Sequence, residues 1–197
     1  MKKYQIIYAD PPWSYNDKKG GDKKYASAEG HYSSMTAEQI YNLQFAIDDI
    51  ADENSTLFIW VTFPLLAEGL ETISRWGFKY KTVGFVWVKT RNGYPDHRGI
   101  GHWTMCNAEL CLIGTKGTPK RTANNIEQVI LASRGKHSQK PAEARKRITD
   151  LMGDLPRIEL FARKPNLLFD ADCYEGWDVW GNEVESDIEL WASQSRN

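Results

Sequence analysis

The chain has few cysteines and lacks a long apolar segment. Its three cysteines, Cys106, Cys111 and Cys173, do not form the even, closely spaced set that is typical of secreted disulfide-rich domains. The first residues also lack a charged start that leads into a long apolar stretch, as in a signal peptide or a membrane helix. These absences predict a protein of a reducing, cytoplasmic environment with no membrane segment.

The chain also lacks an excess of charge of one sign. Its formal net charge is −1, so overall composition does not indicate a nucleic-acid-binding protein. Basic residues nevertheless concentrate in residues 116–147, and acidic residues in 170–189. Within the basic stretch, we interpret Arg145, Lys146 and Arg147 as a solvated helix surface. Four lysines of a loop that contains glycine are predicted to contact nucleic acid: Lys18, Lys19, Lys23 and Lys24.

Two histidines and two cysteines lie near one another in the sequence and raise the question of a zinc site. They are His97, His102, Cys106 and Cys111. Their spacing matches neither Cys-x-x-Cys nor His-x-x-x-His. We therefore interpret them as ordinary loop and strand residues and expect no metal.

Strands and helices are predicted to alternate along the chain. Apolar runs predict strands at residues 4–9, 56–62, 82–89, 108–114, about 127–132 and 157–162. Helices are predicted to begin at Thr36, Pro64 and Pro141, and the last to end at Met152. Residues 91–103 are rich in Gly, Pro and His and are predicted to form a long loop. This alternation predicts one α/β domain with a mainly parallel sheet covered on both faces, a three-layer Rossmann-like architecture.

The segment Asp10-Pro11-Pro12-Trp13 directly follows the first predicted strand. Because proline has a fixed φ and no N–H, the strand is expected to end at Asp10. Ligands of open α/β sheets bind beyond the carboxyl ends of strands, where this segment would lie. A planar ring that bears an amine suits it, since Asp10 would accept an N–H and Trp13 would stack on the ring. Taken alone, the segment is equally compatible with an ordinary turn in which Trp13 fills the core.

Asp10-Pro11-Pro12-Trp13 resembles the catalytic signature of the MT-A70 family of adenine-N6 methyltransferases, and further segments follow in the family's order. They are Tyr32-Ser33-Ser34-Met35-Thr36, residues 57–62, Gly101-His102-Trp103, residues 107–117, residues 137–141, residues 158–163, Gly176-Trp177 and Gly181-Asn182-Glu183. The resemblance covers nearly the whole chain and implies a Rossmann-like fold that binds S-adenosylmethionine. It also implies a permuted order of motifs, with the catalytic turn first and the cofactor-binding end, residues 158–183, last. Unlike many methyltransferases, the chain has no glycine in its cofactor loop at 160–163.

The resemblance implies a catalytic turn at residues 10–13, formed by Asp10, Pro11, Pro12 and Trp13. The lone pair of adenine N6 is delocalised into the ring, so N6 is a poor nucleophile. If Asp10 and the Pro11 carbonyl each accept an N6–H, the lone pair is directed toward the methyl donor. Trp13 would then stack on a base that has been taken out of its strand.

Further site residues follow from the resemblance position by position. It implies substrate-binding roles for Tyr32, Glu109 and Lys140; Tyr32 also fits a core aromatic residue and Lys140 a surface lysine. Glu109 interrupts an apolar strand, which favours function. Cofactor-binding roles are implied for Asp10, Lys140, Phe161, Arg163, Asn166, Asn182 and Glu183. Arginine suits a carboxylate, Asn and Glu suit ribose hydroxyls, and Phe161 fits either an adenine contact or the core.

Our first hypothesis is a site-specific adenine-N6 methyltransferase that acts on DNA, with RNA as the alternative substrate. A second hypothesis is a non-catalytic nucleic-acid-binding subunit of a heteromeric methyltransferase, and a third is an unrelated nucleotide-binding α/β enzyme. The intact catalytic turn and the intact pair Asn182-Glu183 favour the first. Target recognition is assigned to the active-site loops 14–31 and 91–107 or to a second subunit, so we also predict a homodimer or a heteromeric partner.

Overall fold

The computed structural model describes residues 1–15, 34–96, 101, 103–135, 139–164 and 174–190. Its strands are β1 Tyr4–Ala9, β2 Ala51–Val61, β3 Lys79–Arg91, β4 Tyr94–Pro95, β5 Ala108–Lys116, β6 Val129–Ser133, β7 Arg157–Leu160 and β8 Asp178–Trp180. Its helices are α1 Ala37–Tyr41, α2 Gln44–Ile50, α3 Leu66–Arg75, preceded by a 3₁₀ turn at Phe63–Leu65, and α4 Ala142–Met152.

The strands form one sheet in the order β4-β3-β5-β2-β1-β7-β8, with β6 paired to β3. β1 lies between β2 and β7 and is parallel to both, and β7 is parallel to β8. β5 is antiparallel to β2 and β3, and the short β4 is antiparallel to β3. The predicted Rossmann-like α/β sheet is confirmed. Its parallel part brings the carboxyl ends of β1, β2, β7 and β8 to one edge, where a ligand site is expected.

Helices cover both faces of the sheet, which confirms the predicted three layers. On one face Ile40 of α1, Ile47 of α2 and Ile73 of α3 pack against strand residues such as Ile7 and Leu57. On the other face Ala144, Ile148 and Met152 of α4 pack against a second cluster that includes Tyr8 and Phe58. Neighbouring residues of a strand point to opposite faces of the sheet. Because β1 is buried on both faces, its sequence is a continuous apolar run.

Thr36 begins α1 as predicted. Its hydroxyl accepts a hydrogen bond from the Gln39 backbone N–H, and the Gln39 side chain accepts one from the Thr36 N–H, which completes a capping box. The helix is shorter than the sequence suggested, because a turn at Asn42 and Leu43 separates α1 from α2.

The segment after β3 differs from its prediction as a loop over residues 91–103. Asn92 and Gly93 have φ values of 52° and 81°, and Arg91 pairs with Tyr94 across them. This is the two-residue hairpin turn that Asn-Gly favours, because both central residues need positive φ. The loop prediction is therefore wrong at its start, where β4 returns along β3.

Arg145 was predicted to lie on a solvated helix surface and is instead buried. Its guanidinium donates two hydrogen bonds to the carboxylate of Glu159 on β7, one of them, from Nη2 to Oε1, at 2.8 Å. It also lies 4.8 Å from the centre of the Tyr174 ring. The prediction was wrong because Arg145 occupies the sheet-facing side of α4 with Ala144 and Ile148. Lys146 is exposed, as predicted.

Across the described part of the chain, no helix is both long enough and apolar enough to span a membrane. In the same part, no group of three or more His, Cys, Asp or Glu side chains is placed to hold a metal ion. His97, His102 and Cys173 lie outside the described residues.

Candidate active site

The turn at residues 10–13 leaves the carboxyl end of β1 and is fixed on two sides. The Asp10 N–H donates to the Leu160 carbonyl at 3.4 Å, and the Trp13 N–H donates to the Pro11 carbonyl at 2.9 Å. Met35 N–H donates to the Pro12 carbonyl at 2.7 Å, and Ser14 N–H donates to the Met35 carbonyl at 2.9 Å. The backbone of the predicted catalytic turn is therefore held in place before any ligand binds.

Trp13 anchors this turn to β2. Its indole N–H donates to the Trp60 carbonyl at 3.0 Å, and its half-buried ring packs against the core on the α1 to α3 face. The predicted stacking of Trp13 on a substrate base stays a prediction, and the described geometry assigns Trp13 a structural contact as well.

A cavity of about 410 Å³ opens beside Asp10. It is lined by residues from four separate segments of the chain: Asp10, Pro12, Met35, Phe161, Ala162, Arg163, Trp180, Gly181, Asn182 and Glu183. The structure thus brings the N-terminal turn and the C-terminal segment to one cavity, as the resemblance implied. Phe161, Arg163, Asn182 and Glu183 line this cavity together with Asp10, and their role in cofactor binding stays a prediction.

Phe161 ends β7 with an unusual backbone conformation. Its φ is 62°, a value rare for a bulky residue and often found where a functional site stores strain. This conformation ends β7 two residues before the predicted strand end and turns the Phe161 ring toward Trp180, whose ring centre is 5.4 Å away. The next residue, Ala162, donates its N–H to the Trp180 carbonyl at 2.9 Å. Two aromatic rings therefore form one side of the cavity.

Four charged side chains from four segments form an ion-pair network next to the turn. Lys140 Nζ lies 2.7 Å from Asp10 Oδ1 and 3.3 Å from Glu109 Oε2. Lys89 donates a hydrogen bond to the other oxygen of Glu109, Oε1. The side chains of Asp10, Glu109, Lys140 and Lys89 are all at most 13% exposed, so water screens these contacts little.

The network keeps its members charged in spite of burial. Burial alone would raise the pKa of Glu109, but the charges of Lys140 and Lys89 outweigh it and hold the pKa below the usual value. Burial likewise opposes the charge on Lys140, yet Asp10 and Glu109 raise its pKa above the usual value. Two tryptophan rings lie beside the ammonium groups: Lys140 Nζ is 5.7 Å from the Trp60 ring centre and Lys89 Nζ is 5.1 Å from that of Trp87.

Some predicted site residues lie outside the described part of the chain, and one residue of the network was missed. Tyr32 and Asn166 are outside it, as are most of loop 14–31 and residues 97–100 and 102 of the second loop. Lys89 was missed because it ends a predicted apolar strand. The one feature of the sequence that could have indicated its role is a charged residue at the end of an apolar strand.

The fold is a three-layer α/β fold with a cavity at the carboxyl ends of its parallel strands, which is where open α/β sheets bind their ligands. A family model for MT-A70 matches residues 4–183. The chain therefore belongs to the MT-A70 family, which confirms the resemblance drawn from the catalytic turn.

Individual relatives agree with this assignment. The type II methyltransferase M.MunI of a Mycoplasma species is 35% identical, over 96% of this chain and 82% of that protein. The human N(6)-adenosine-methyltransferase catalytic subunit METTL3 is 28% identical, over 94% of this chain and 29% of that protein. A putative N(6)-adenosine-methyltransferase MT-A70-like protein of Medicago truncatula is 29% identical, over 93% of this chain and 27% of that protein. The chain thus spans most of the Mycoplasma protein and less than a third of the other two.

Proposed function

We propose that the protein transfers a methyl group from S-adenosylmethionine to N6 of adenine in DNA. One observation carries the proposal: Asp10 lines the same cavity as residues 161–163 and 180–183. Asp10, the proposed hydrogen-bond acceptor for the substrate amine, therefore lies beside a cavity large enough for a cofactor. The names of the relatives, a type II methyltransferase and N(6)-adenosine-methyltransferases, support the same reaction.

The residues of the cavity fit S-adenosylmethionine. Arg163 offers a guanidinium to a carboxylate, and Asn182 and Glu183 offer an amide and a carboxylate to ribose hydroxyls. Phe161 and Trp180 offer an aromatic surface to adenine. The cofactor supplies an electrophilic methyl group on a sulfonium sulfur. A cavity of about 410 Å³ lies within the range of small-ligand sites.

Asp10 holds and orients the acceptor amine. Its Oδ1 is engaged by Lys140, which leaves Oδ2 to accept an N6–H. The Pro11 carbonyl already accepts the Trp13 N–H, and its second lone pair remains for the other N6–H. Both acceptors belong to a turn fixed by backbone hydrogen bonds, so their geometry is set in advance.

Asp10 is also the group that receives the proton lost by the methylated amine. Lys140 is protonated at neutral pH, and both oxygens of Glu109 are engaged by ammonium groups. Neither residue is available as a base near neutrality, and of the four charged groups only Asp10 lines the cavity among the described residues.

We predict that the network adds no ionisation to the pH profile of methyl transfer near neutrality. Lys140 has a raised pKa, so its pairing persists below the usual value of 10.5 and is lost only as the pH rises beyond it. Glu109 has a lowered pKa, so its pairing persists above the usual value of 4.5 and is lost only as the pH falls further. The pair of Glu109 and Lys140 should therefore stay charged from about pH 5 to about pH 10. The measurement is kcat against pH at saturating cofactor. An inflection near pH 7 that disappears in Glu109→Gln would contradict the assignment.

Gly181 permits the close approach of the two cavity-lining segments. A Cβ at this position would lie 2.3 Å from the Ala162 carbonyl oxygen and 2.8 Å from the Ala162 nitrogen. We predict that Gly181→Ala forces the segments apart and weakens cofactor binding at least tenfold, or about 1.4 kcal/mol. Calorimetric titration with S-adenosylmethionine measures this loss.

The control for this variant is Gly77→Ala, in the turn between α3 and β3 at the opposite end of the sheet. Gly77 has φ +80°, and a Cβ there would meet nothing within 4 Å. This control should lower thermal stability through backbone strain and leave cofactor affinity unchanged. Wild-type cofactor affinity in Gly181→Ala would show that the cavity is not the cofactor site.

Nucleic acid as the substrate is supported by the surface next to the network. Tyr94 and Trp103 are almost fully exposed aromatic residues, and Arg91 and Arg134 are exposed cations. The Lys89 N–H donates to the Asn107 carbonyl and Arg134 donates to the Cys106 carbonyl, which ties this surface to the site. Exposed aromatic and basic side chains together suit a strand whose bases stack and whose phosphates are charged.

The proposal also includes one domain over residues 1–197, a cytoplasmic location and a homodimer or heteromeric partner.

The test is incubation of the purified protein with labelled S-adenosylmethionine and either DNA or RNA, followed by nucleoside analysis. The proposal predicts N6-methyladenine in DNA. Label in RNA alone would change the substrate to RNA, and no label in either, with or without a partner subunit, would contradict the catalytic assignment.

A further inference from the structure

Lys89 is held in a fixed position beside the active site without lining the cavity. Its N–H donates to the Asn107 carbonyl at 2.8 Å, and its carbonyl accepts the Asp96 N–H at 2.7 Å. Its side chain is only 13% exposed, and its ammonium lies 5.1 Å from the Trp87 ring centre. A long, flexible side chain is thus held by its backbone, by an aromatic ring and by one carboxylate.

That carboxylate, Glu109, has both oxygens engaged by lysines. Lys89 bonds Oε1, and Lys140 lies 3.3 Å from Oε2. Lys140 in turn has two competing carboxylates, and its shorter contact, 2.7 Å, is to Asp10. Without Lys89, Lys140 would be the one remaining cationic partner of Glu109. The distance between Lys140 and Glu109 would then shorten, and the contact between Lys140 and Asp10 would lengthen.

We propose that Lys89 is a positioning residue, which acts through Glu109 and Lys140 to orient the carboxylate of Asp10. Glu109 therefore serves to hold Lys140, which differs from the substrate contact that the resemblance implies for it. The inference rests on the proposed function, because Asp10 is the acceptor whose orientation the network sets. Its physical basis is geometric: an oxygen of Asp10 displaced by 1 Å no longer meets N6–H at hydrogen-bond distance.

Other charged and titratable groups also face this network. Lys140 faces three charged groups: Asp10, which follows β1, Glu109, which lies on β5, and Arg163, which follows β7. Glu109 faces Lys89 and Lys140. Burial raises the pKa of Tyr15, and the charges of Glu109 and Lys140 also act on it. Removal of Lys89 takes away one of the two cations that lower the pKa of Glu109. The acidic limb of the pH profile of such a variant should therefore move to higher pH.

Three variants test the proposal. Lys89→Met removes the charge and keeps an apolar stem on Trp87, and Lys89→Arg restores charge and donors. Lys116→Met is the matched control, because Lys116 pairs with an aspartate, Asp48, at the opposite end of the sheet. For each variant we would measure kcat, its pH profile, the dissociation constant of S-adenosylmethionine and thermal stability. A crystal structure of Lys89→Met would give the distance between Lys140 Nζ and Asp10 Oδ1.

We expect Lys89→Met to lower kcat by about 10- to 100-fold, as loss of a supporting partner does in other sites. Cofactor affinity should change less than about threefold, which is under 1 kcal/mol. Lys89→Arg should recover part of kcat, Lys116→Met should retain all of it, and in the Lys89→Met crystal structure the contact between Lys140 and Asp10 should exceed 4 Å.

Wild-type kcat in Lys89→Met would overturn the proposal, and so would a Lys140 to Asp10 contact that is unchanged in the crystal structure of this variant. Equal losses of kcat, cofactor affinity and thermal stability would also overturn it, because they would show a role in folding alone. A wild-type protein that methylates neither DNA nor RNA would contradict the proposed function instead. The crystallographic distance would still decide whether Lys89 positions Asp10.

Discussion

Asp10→Ala lowers kcat for methyl transfer by about 100- to 1000-fold, the cost expected when a preorganised group at the reacting atom is removed. The variant loses the oxygen that accepts N6–H and leaves Lys140 with Glu109 as its only carboxylate partner in the network. Cofactor binding should change much less, because Arg163, Phe161, Asn182 and Glu183 remain on the cavity wall. The measurements are single-turnover methyl transfer and the rise in melting temperature with S-adenosylmethionine.

Asp10→Asn keeps the volume of the side chain and removes its charge, so it separates loss of the acceptor carboxylate from a packing defect. The matched control is Asp48→Ala, which breaks a lysine–aspartate pair at the exposed opposite end of the sheet. That control should keep its activity. Methyl transfer at the wild-type rate in Asp10→Ala would rule out the role assigned to this residue.

Lys140→Met should cause the second largest loss, through both stability and chemistry. The variant leaves Asp10 without its ammonium partner and leaves Glu109 with Lys89 alone. Breaking a buried ion pair on one side typically costs about 3–5 kcal/mol, because a charge remains buried without compensation. Protonation of a carboxylate relieves part of this cost, so the pKa of Glu109 should rise and the variant should be least stable at high pH.

Denaturant unfolding at several pH values and kcat for methyl transfer measure the two parts of this effect. We expect kcat to fall about 100-fold, since Asp10 is no longer held on one side. The control is Lys146→Met, where an exposed lysine of α4 pairs with Asp150 and its loss should cost less than about 1 kcal/mol. An unaltered kcat in Lys140→Met would remove the network from the mechanism.

Local signals were enough to predict the turn at residues 10–13 and the start of α1. Two prolines after an apolar run end β1 at Ala9, just before Asp10, because they lack the N–H that a strand needs. The capping box at Thr36 is likewise formed by residues three apart, and the structure confirms it. The sequence also contained an unused local signal, the Asn92-Gly93 pair of the β3–β4 hairpin.

Features that depend on contacts between distant segments were not predictable in the same way. Arg145 is buried only because Glu159, on another element, compensates its charge, whereas its neighbour Lys146 is exposed. The positive φ of Phe161 had no signal in the local sequence, and the contact of its ring with Trp180 joins residues far apart in the chain. β8 is only three residues long and too short for a periodic pattern.

The candidate site shows the same division. Asp10, Phe161, Arg163, Asn182 and Glu183 were predicted through the resemblance and share one cavity in the structure. The order of charges in the network was not predictable, because Asp10, Lys89, Glu109 and Lys140 come from four segments. Only the sheet order, in which β5 lies between β3 and β2, brings them together.

The central claim is that the N-terminal turn and the C-terminal segment form one methyl-transfer site. The most direct test is a crystal structure of the protein with S-adenosylhomocysteine, the demethylated form of the proposed cofactor. We expect this ligand to fill the cavity lined by residues 161–163 and 180–183, in contact with Arg163 and Glu183, with its sulfur on the side of Asp10. A ligand bound elsewhere, or an Asp10 carboxylate that faces away from the sulfur, would contradict the central claim.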